Sequence, residues 1–336
     1  MLLLTKAHRT HSMSNNIHLL VLLTLAISLS TAEAQRPPFG FPPFGGPPPM
    51  RYHKIIKAQP LRPIPANSTA PGKPEVSIEL NGGKRHVHSN GIPQHKIGKF
   101  PTRHNPNSVR PQNYNVDLNG NPKPAKEITS INRHDQPGPP NMPFGFAVNG
   151  IFFEPGTAEF WHGDRKLGWN YEALGGAVPL GIDENFGHVQ PNGAYHYHGL
   201  PTGLLKRLGL TEEKHSPLVG WASDGYPIYA RYGYKNPKDA SSEIVEFQSS
   251  YQLKKGTRPS GRQGPGGKYD GAFARDYEYV AELSELDECS GRFTVTPEFP
   301  EGTYAYFLTE NWPVIPRAFR GEAVNIKMHQ RPGGRR

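Results

Sequence analysis

From about residue 74 to 321 the chain almost never runs more than a few apolar residues before Gly, Pro, Asn or Asp interrupts it. FGFAVNGIFF, LVGWASDGYPIYARYGY and GTYAYFLTENWP share this texture. Aromatic and β-branched residues favour strands, and closely spaced breakers keep each strand short. Helical periodicity is weak: EALGGAV carries glycines, and only TGLLKRLGL offers about two turns. The expected fold is therefore mainly β: a single β-rich domain of short strands with long Gly/Pro-rich loops and little helix. VSIEL and HVHSN alternate around Asn81-Gly82-Gly83 and predict a hairpin. No internal repeat of fixed period stands out.

The flanks differ in character. Residues 17–34 form a short apolar run ending in Ala32-Glu33-Ala34, preceded by Lys6 and Arg9. That pattern predicts a secretory signal peptide over 1–34, and with it an exported protein, secreted, periplasmic or associated with the cell envelope. The apolar core is shorter than the roughly 20 residues a bilayer span needs, so no transmembrane anchor is expected. Residues 35–73, opening with QRPPFGFPPFGGPPPM, read as a Pro/Gly-rich spacer. The domain follows over 74–321, and 322–336 reads as a mobile basic tail.

An exported chain can use disulfides, yet Cys289 is the one cysteine present and can form no internal bridge. The net charge of +9 is scattered. This distribution fits attraction to an acidic polysaccharide or an envelope surface, and it lacks the basic stripe of a nucleic-acid reader. The basic stretch KKGTRPSGRQGPGGK reads as a flexible insertion. Neither a G-x-S-x-G elbow nor an H-E-x-x-H helix occurs, which removes the familiar hydrolase and metalloprotease motifs.

Histidines concentrate between residues 162 and 215. In the run Tyr195-His196-Tyr197-His198, period-two alternation puts both imidazoles on one face of a strand and both phenols on the other. His196 and His198 are thus the first candidate ligands of a transition-metal ion. QPNGA can turn the chain so that GHV pairs with YHYH, which makes His188 the third candidate. His162 or Asp224 would complete the shell, and Asp224 is also a candidate general base. Imidazole-rich, thiol-free ligation suits copper or zinc, with copper ahead. Tyr195 and Tyr197 read as a packed aromatic face whose hydroxyls reach polar partners. The competing reading is a non-enzymatic surface or glycan-binding module in which the YHYH strand is structural.

Several segments in order carry a family resemblance: SNGIPQH (89–95), GFAVNGIFFEP (145–155), YHYH (195–198), LVGWASDGYPIYARYGY (218–234), LDECSGR (286–292) and GTYAYFLTENWPVIPRAFRG (302–321). Together they resemble the YHYH-domain proteins over about two thirds of the chain. The resemblance implies export and no particular reaction. Such proteins often carry Tyr-His-Tyr in the late strand, where this chain has Tyr304-Ala305-Tyr306. If that histidine belonged to a shared metal site, Ala305 would remove a ligand here. Cys289 would likewise have lost a disulfide partner from the final turn.

Overall fold

In the computed structural model the described residues are 54–131, 143–324 and 326. The signal segment, the PPFGFPPFGG part of the spacer and most of the 322–336 tail lie outside them. The chain is mainly β, as its broken apolar runs predict, and does not form a barrel. Among the described residues no helix is long and apolar enough to cross a membrane.

The expected hairpin is present. Strand β1 (Val76–Asn81) runs antiparallel to β2 (Lys84–Ser89), with Gly82 and Gly83 in the turn at φ 56° and 74°. Two successive positive φ values match the right-handed twist of a hairpin and are open to glycine at little cost. β3 (Tyr114–Asn119) adds to β2 and closes a three-stranded sheet. β4 (Pro124–Ser130) pairs with the last strand, β17 (Ala318–Gly321).

The main sheet has eight strands. Its first half comprises β5 (Gly145–Ala147), β6 (Phe152–Phe153), β7 (Gly187–Val189) and β8 (Tyr195–Tyr197). Helix α1 (Thr202–Leu208) follows, ending at Gly209 in the left-handed conformation. The second half comprises β9 (Gly220–Ala222), β10 (Pro227–Ala230), β15 (Gly291–Thr296) and β16 (Phe299–Leu308). Two small ribbons are inserted between β10 and β15. They pair β11 (Tyr232–Tyr234) with β12 (Ile244–Glu246), and β13 (Tyr251–Leu253) with β14 (Tyr277–Tyr279).

The spatial order β15-β16-β10-β9-β5-β6-β8-β7 is a pseudo-two-fold. β5 and β9 meet antiparallel at the centre, with Phe146 opposite Trp221. Outward from there each half repeats one sequence of pairings. An antiparallel partner comes first (β6 or β10), then a parallel one (β8 or β16), then an antiparallel edge (β7 or β15).

Side-chain contacts repeat as well. In the first half Asp183 Oδ1 accepts the Asn185 and Gly187 amides, and Tyr195 OH donates to Asp183 at 2.9 Å. In the second half Asp287 Oδ1 accepts the Cys289 and Gly291 amides, and Tyr304 OH donates to it at 2.8 Å. Asn149-Gly150 and Asp224-Gly225 occupy matching turns, where Asn149 donates to Tyr197 OH and Asp224 accepts from Tyr306 OH. The sequence hides this duplication because the two ribbons lengthen only the second half, so no fixed period survives.

Alternation along the strands gives the sheet two chemically different faces. Tyr195, Tyr197, Tyr304 and Tyr306 lie on one, packed with Phe144, Phe153, Ile228 and the α1 residues Leu204 and Leu205. Phe146, Phe152 and Trp221 lie on the other, covered by Val87, Tyr114, Val116 and Leu118 of the three-stranded sheet.

Residues 54–73, placed in the spacer on composition, run extended along the domain. Ile64 donates its amide to Ile182 O, Ser68 exchanges hydrogen bonds with Ile97, and Ala70 is buried. The basic stretch is likewise pinned rather than loose. Arg258 is buried against Asp276 at 2.6 Å, reaches Asp270, and donates to Ile56 O. Asp276→Ala would strand a buried guanidinium beside one remaining partner, at a cost of about 3–5 kcal/mol. Urea unfolding measures it, and a cost near zero would mean that the arginine escapes to water.

Candidate metal centre

The turn predicted between GHV and YHYH closes through Gln190 N to Ala194 O and Gly193 N to Gln190 O. It makes β7 and β8 antiparallel neighbours, with His188 directly opposite His196. A strand pair in this register presents both imidazoles on the same face, and His198, two residues on from His196, joins them. The ligand atoms of His188, His196 and His198 all lie within 4.8 Å of one another and could hold a metal ion. His196 Nε2 is 3.0 Å from His198 Nε2, which is 3.1 Å from His188 Nε2.

Two of the tautomers follow from the backbone. His188 Nδ1 faces Leu180 O at 3.0 Å and His196 Nδ1 faces Ala194 O at 3.3 Å. Carbonyls only accept, so each Nδ1 carries the proton and each Nε2 keeps its lone pair for the shared point. The Nε2 of His198 has two imidazole neighbours, yet an imidazole nitrogen offers one lone pair or one proton. Hydrogen bonding among the three therefore leaves at least one contact unsatisfied, whereas a common cation satisfies all three. Ligands at about 2.0–2.1 Å with tetrahedral angles stand about 3.3 Å apart. The two spacings from His198, 3.0 and 3.1 Å, are within a few tenths of that value, and the third is no more than 4.8 Å.

The surroundings keep His188 and His198 neutral. Burial pushes the His188 imidazole down to about 3, with His196 adding to the effect. Burial, then His188 and His196, holds His198 well below the ordinary histidine range. A neutral imidazole is the form that ligates. His196 and His198 are almost fully buried, while His188 is half-buried and forms the side nearest solvent.

The wall around the cluster includes two residues the sequence reading did not single out. The Phe152 ring lies parallel to His196 with centroids 5.3 Å apart. Glu154, just past β6, is buried with Oε2 3.8 Å from His196 Nε2, and Gln190 Nε2 donates to that same oxygen. Its backbone amide donates to Tyr197 O, which fixes it beside β8. The available signal was a lone carboxylate ending the apolar run GIFFEP.

The two residues expected to complete the shell are elsewhere. His162 is exposed, at φ 53°, with its ring against Trp161. Asp224 is fully buried in the second half of the sheet, where it accepts from Tyr306 OH at 2.5 Å and Gly321 N at 2.9 Å, and burial raises its pKa. Neither belongs to the cluster of three. Ala305 occupies on β16 the position that His196 has on β8, opposite Arg292 where His196 faces His188. Five strand spacings of about 4.8 Å separate β8 from β16, so position 305 cannot serve the cluster and takes no ligand from it. Tyr195 and Tyr197 behave as expected, and Tyr304 and Tyr306 match them: all four are buried with their hydroxyls on Asp183, Asn149, Asp287 and Asp224. Cys289 is buried, and burial pushes its thiol far up, away from nucleophilic use.

No curated protein and no solved structure matches the chain. The family described as YHYH protein matches residues 115–321, more than half of the chain, a stretch that holds both halves of the sheet and all three clustered histidines; the chain belongs to the YHYH protein family.

Proposed function

We propose that the chain is an exported metal-binding protein in which the Nε2 atoms of His188, His196 and His198 hold one transition-metal ion, copper ahead of zinc. The observation that carries this reading is the convergence of three Nε2 atoms at spacings of 3.0 and 3.1 Å, two with tautomers fixed by carbonyls. Glu154 stands near enough to supply a fourth ligand after a small shift. The three imidazoles and the Glu154 carboxylate would together close the shell of an ion held across β7 and β8. An ion with an open position would supply Lewis-acid activation of water, and Glu154 is the carboxylate that would stand beside it. A thiol-free set of three imidazoles suits both Cu(II) and Zn(II), and the Irving–Williams order puts Cu(II) ahead.

Elemental analysis tests this directly. Wild-type protein offered copper or zinc and then desalted should retain about one equivalent. A His196→Ala/His198→Ala variant should retain none, since a single imidazole remains. Wild type that stays empty after both metals would overturn the proposal and leave the YHYH strand a structural element.

A further inference from the structure

Among the described residues three arginines are more than nine-tenths buried: Arg85, Arg258 and Arg317. Arg258 is held by Asp276 and Asp270, and Arg317 by both carboxylate oxygens of Glu172 at 2.8 Å. Arg85 differs. Its Nη1 is buried without a hydrogen-bond partner, and no charge of either sign acts on its pKa, which burial alone pulls down to about 10. It therefore remains a cation at neutral pH. The planar group lies over the Trp221 ring, 3.3 Å from the centroid. Stacking on an indole offsets part of the desolvation of a guanidinium but satisfies none of its in-plane donors.

Arg85 borders an open cleft of about 410 Å³ between the hairpin and the centre of the main sheet, with Leu80 at its exposed rim. The other lining residues are Val76, Ile78, Leu80, Val148, Leu218 and Trp221. Aliphatic walls with one convergent charged group are the usual make-up of a small-molecule site, and the volume falls in the usual range. An inorganic anion would leave these walls unused, and a purely apolar guest would leave the guanidinium unpaired. A ligand satisfying both has one carboxylate and an aliphatic tail.

We infer that this cleft binds a medium-chain aliphatic monocarboxylate, its carboxylate on Arg85 and its tail along the valine, isoleucine and leucine walls. The site is separate from the histidine cluster. Trp221 on β9 and His196 on β8 share a face of the sheet three strand spacings apart, about 14 Å.

Isothermal titration of the full chain with octanoate tests the assignment, with octanamide as the uncharged analogue. Saturable one-to-one binding of octanoate is expected, weaker by about tenfold or more for octanamide, the loss that follows removal of one charge-assisted hydrogen bond. Arg85→Met should weaken octanoate by a similar factor while leaving metal retention at the histidines unchanged. Absence of saturable octanoate binding, equal affinity for the amide, or an Arg85→Met protein that folds and binds as wild type does would each overturn it. If Arg85→Met fails to fold, the comparison of acid with amide on wild type decides alone.

Discussion

Gly145→Ala is expected to destabilise the protein by more than about 4 kcal/mol, the range reached when a substitution forces a backbone apart. A Cβ at position 145 would stand 2.1 Å from Trp221 O and 2.7 Å from Ala222 Cα. The pseudo-symmetric position behaves alike: a Cβ on Gly220 would meet Phe146 O at 2.4 Å and Ala147 Cα at 3.0 Å. Both clashes are with main chain in the central β5–β9 pair, so no rotamer change relieves them. Parting these strands would separate the two halves of the sheet, including the hydrogen bonds Val148 N to Val219 O and Ser223 N to Phe144 O. Gly256→Ala supplies the contrast. That glycine has φ 92° and open space around it, so only conformational strain of about 1–3 kcal/mol applies. Urea unfolding of the two variants separates the effects. A Gly145→Ala protein within about 1 kcal/mol of wild type would mean that the centre of the sheet is not packed as described.

The sequence carried the histidine cluster further than it carried the architecture, for a physical reason. His188, His196 and His198 are local: a two-residue alternation and one turn bring them together, and both rules operate within a dozen residues. Glu154 reaches the cluster only through the parallel pairing of β6 with β8, a long-range contact with no local signature. Asp224 was attractive because it sits in a turn beside aromatic residues. Its environment, however, repeats that of Asn149, and its task is to accept from Tyr306 as Asn149 donates to Tyr197. The hairpin at Gly82-Gly83 and the two-turn helix α1 were legible because turn glycines and a short apolar period act on neighbours. The pseudo-two-fold was not, because the β11–β14 insertion shifts the second half against the first, and only the register of the strands restores the correspondence. That register also explains the unmatched pair Arg292–Ala305, which stands where the first half has His188–His196. One half of a duplicated sheet keeps the imidazoles while the other packs Ala305 with Tyr229, Phe247 and Phe307.

Lowering the pH of the metal-free protein from about 7 should cost stability through the buried imidazoles once it passes below their ordinary value. His95, His188, His198 and His215 all have pKa values lowered by burial, His188 to about 3. In the unfolded chain these imidazoles take up protons near the ordinary value of 6.5. Below that pH the unfolded state binds more protons than the folded one, so unfolding becomes easier. The contribution is present above 6.5 and is lost progressively down to the folded values. Asp183, Asp224 and Asp287 act in the opposite sense, since burial raises them and the folded form takes up protons first. A His188→Gln variant isolates the imidazole part, because glutamine has no proton to gain. Urea midpoints of the metal-free wild type should fall from about pH 7 to about pH 5 more steeply than those of the variant. Equal slopes would mean that His188 is protonated in the folded state and that its Nε2 is not held free. Saturating metal should raise the wild-type unfolding free energy, by about 2.7 kcal/mol at a hundredfold excess over Kd, and move the urea midpoint up with it. It should leave His188→Gln nearly unchanged, because two imidazoles on one strand bind an ion far less tightly than three drawn from two.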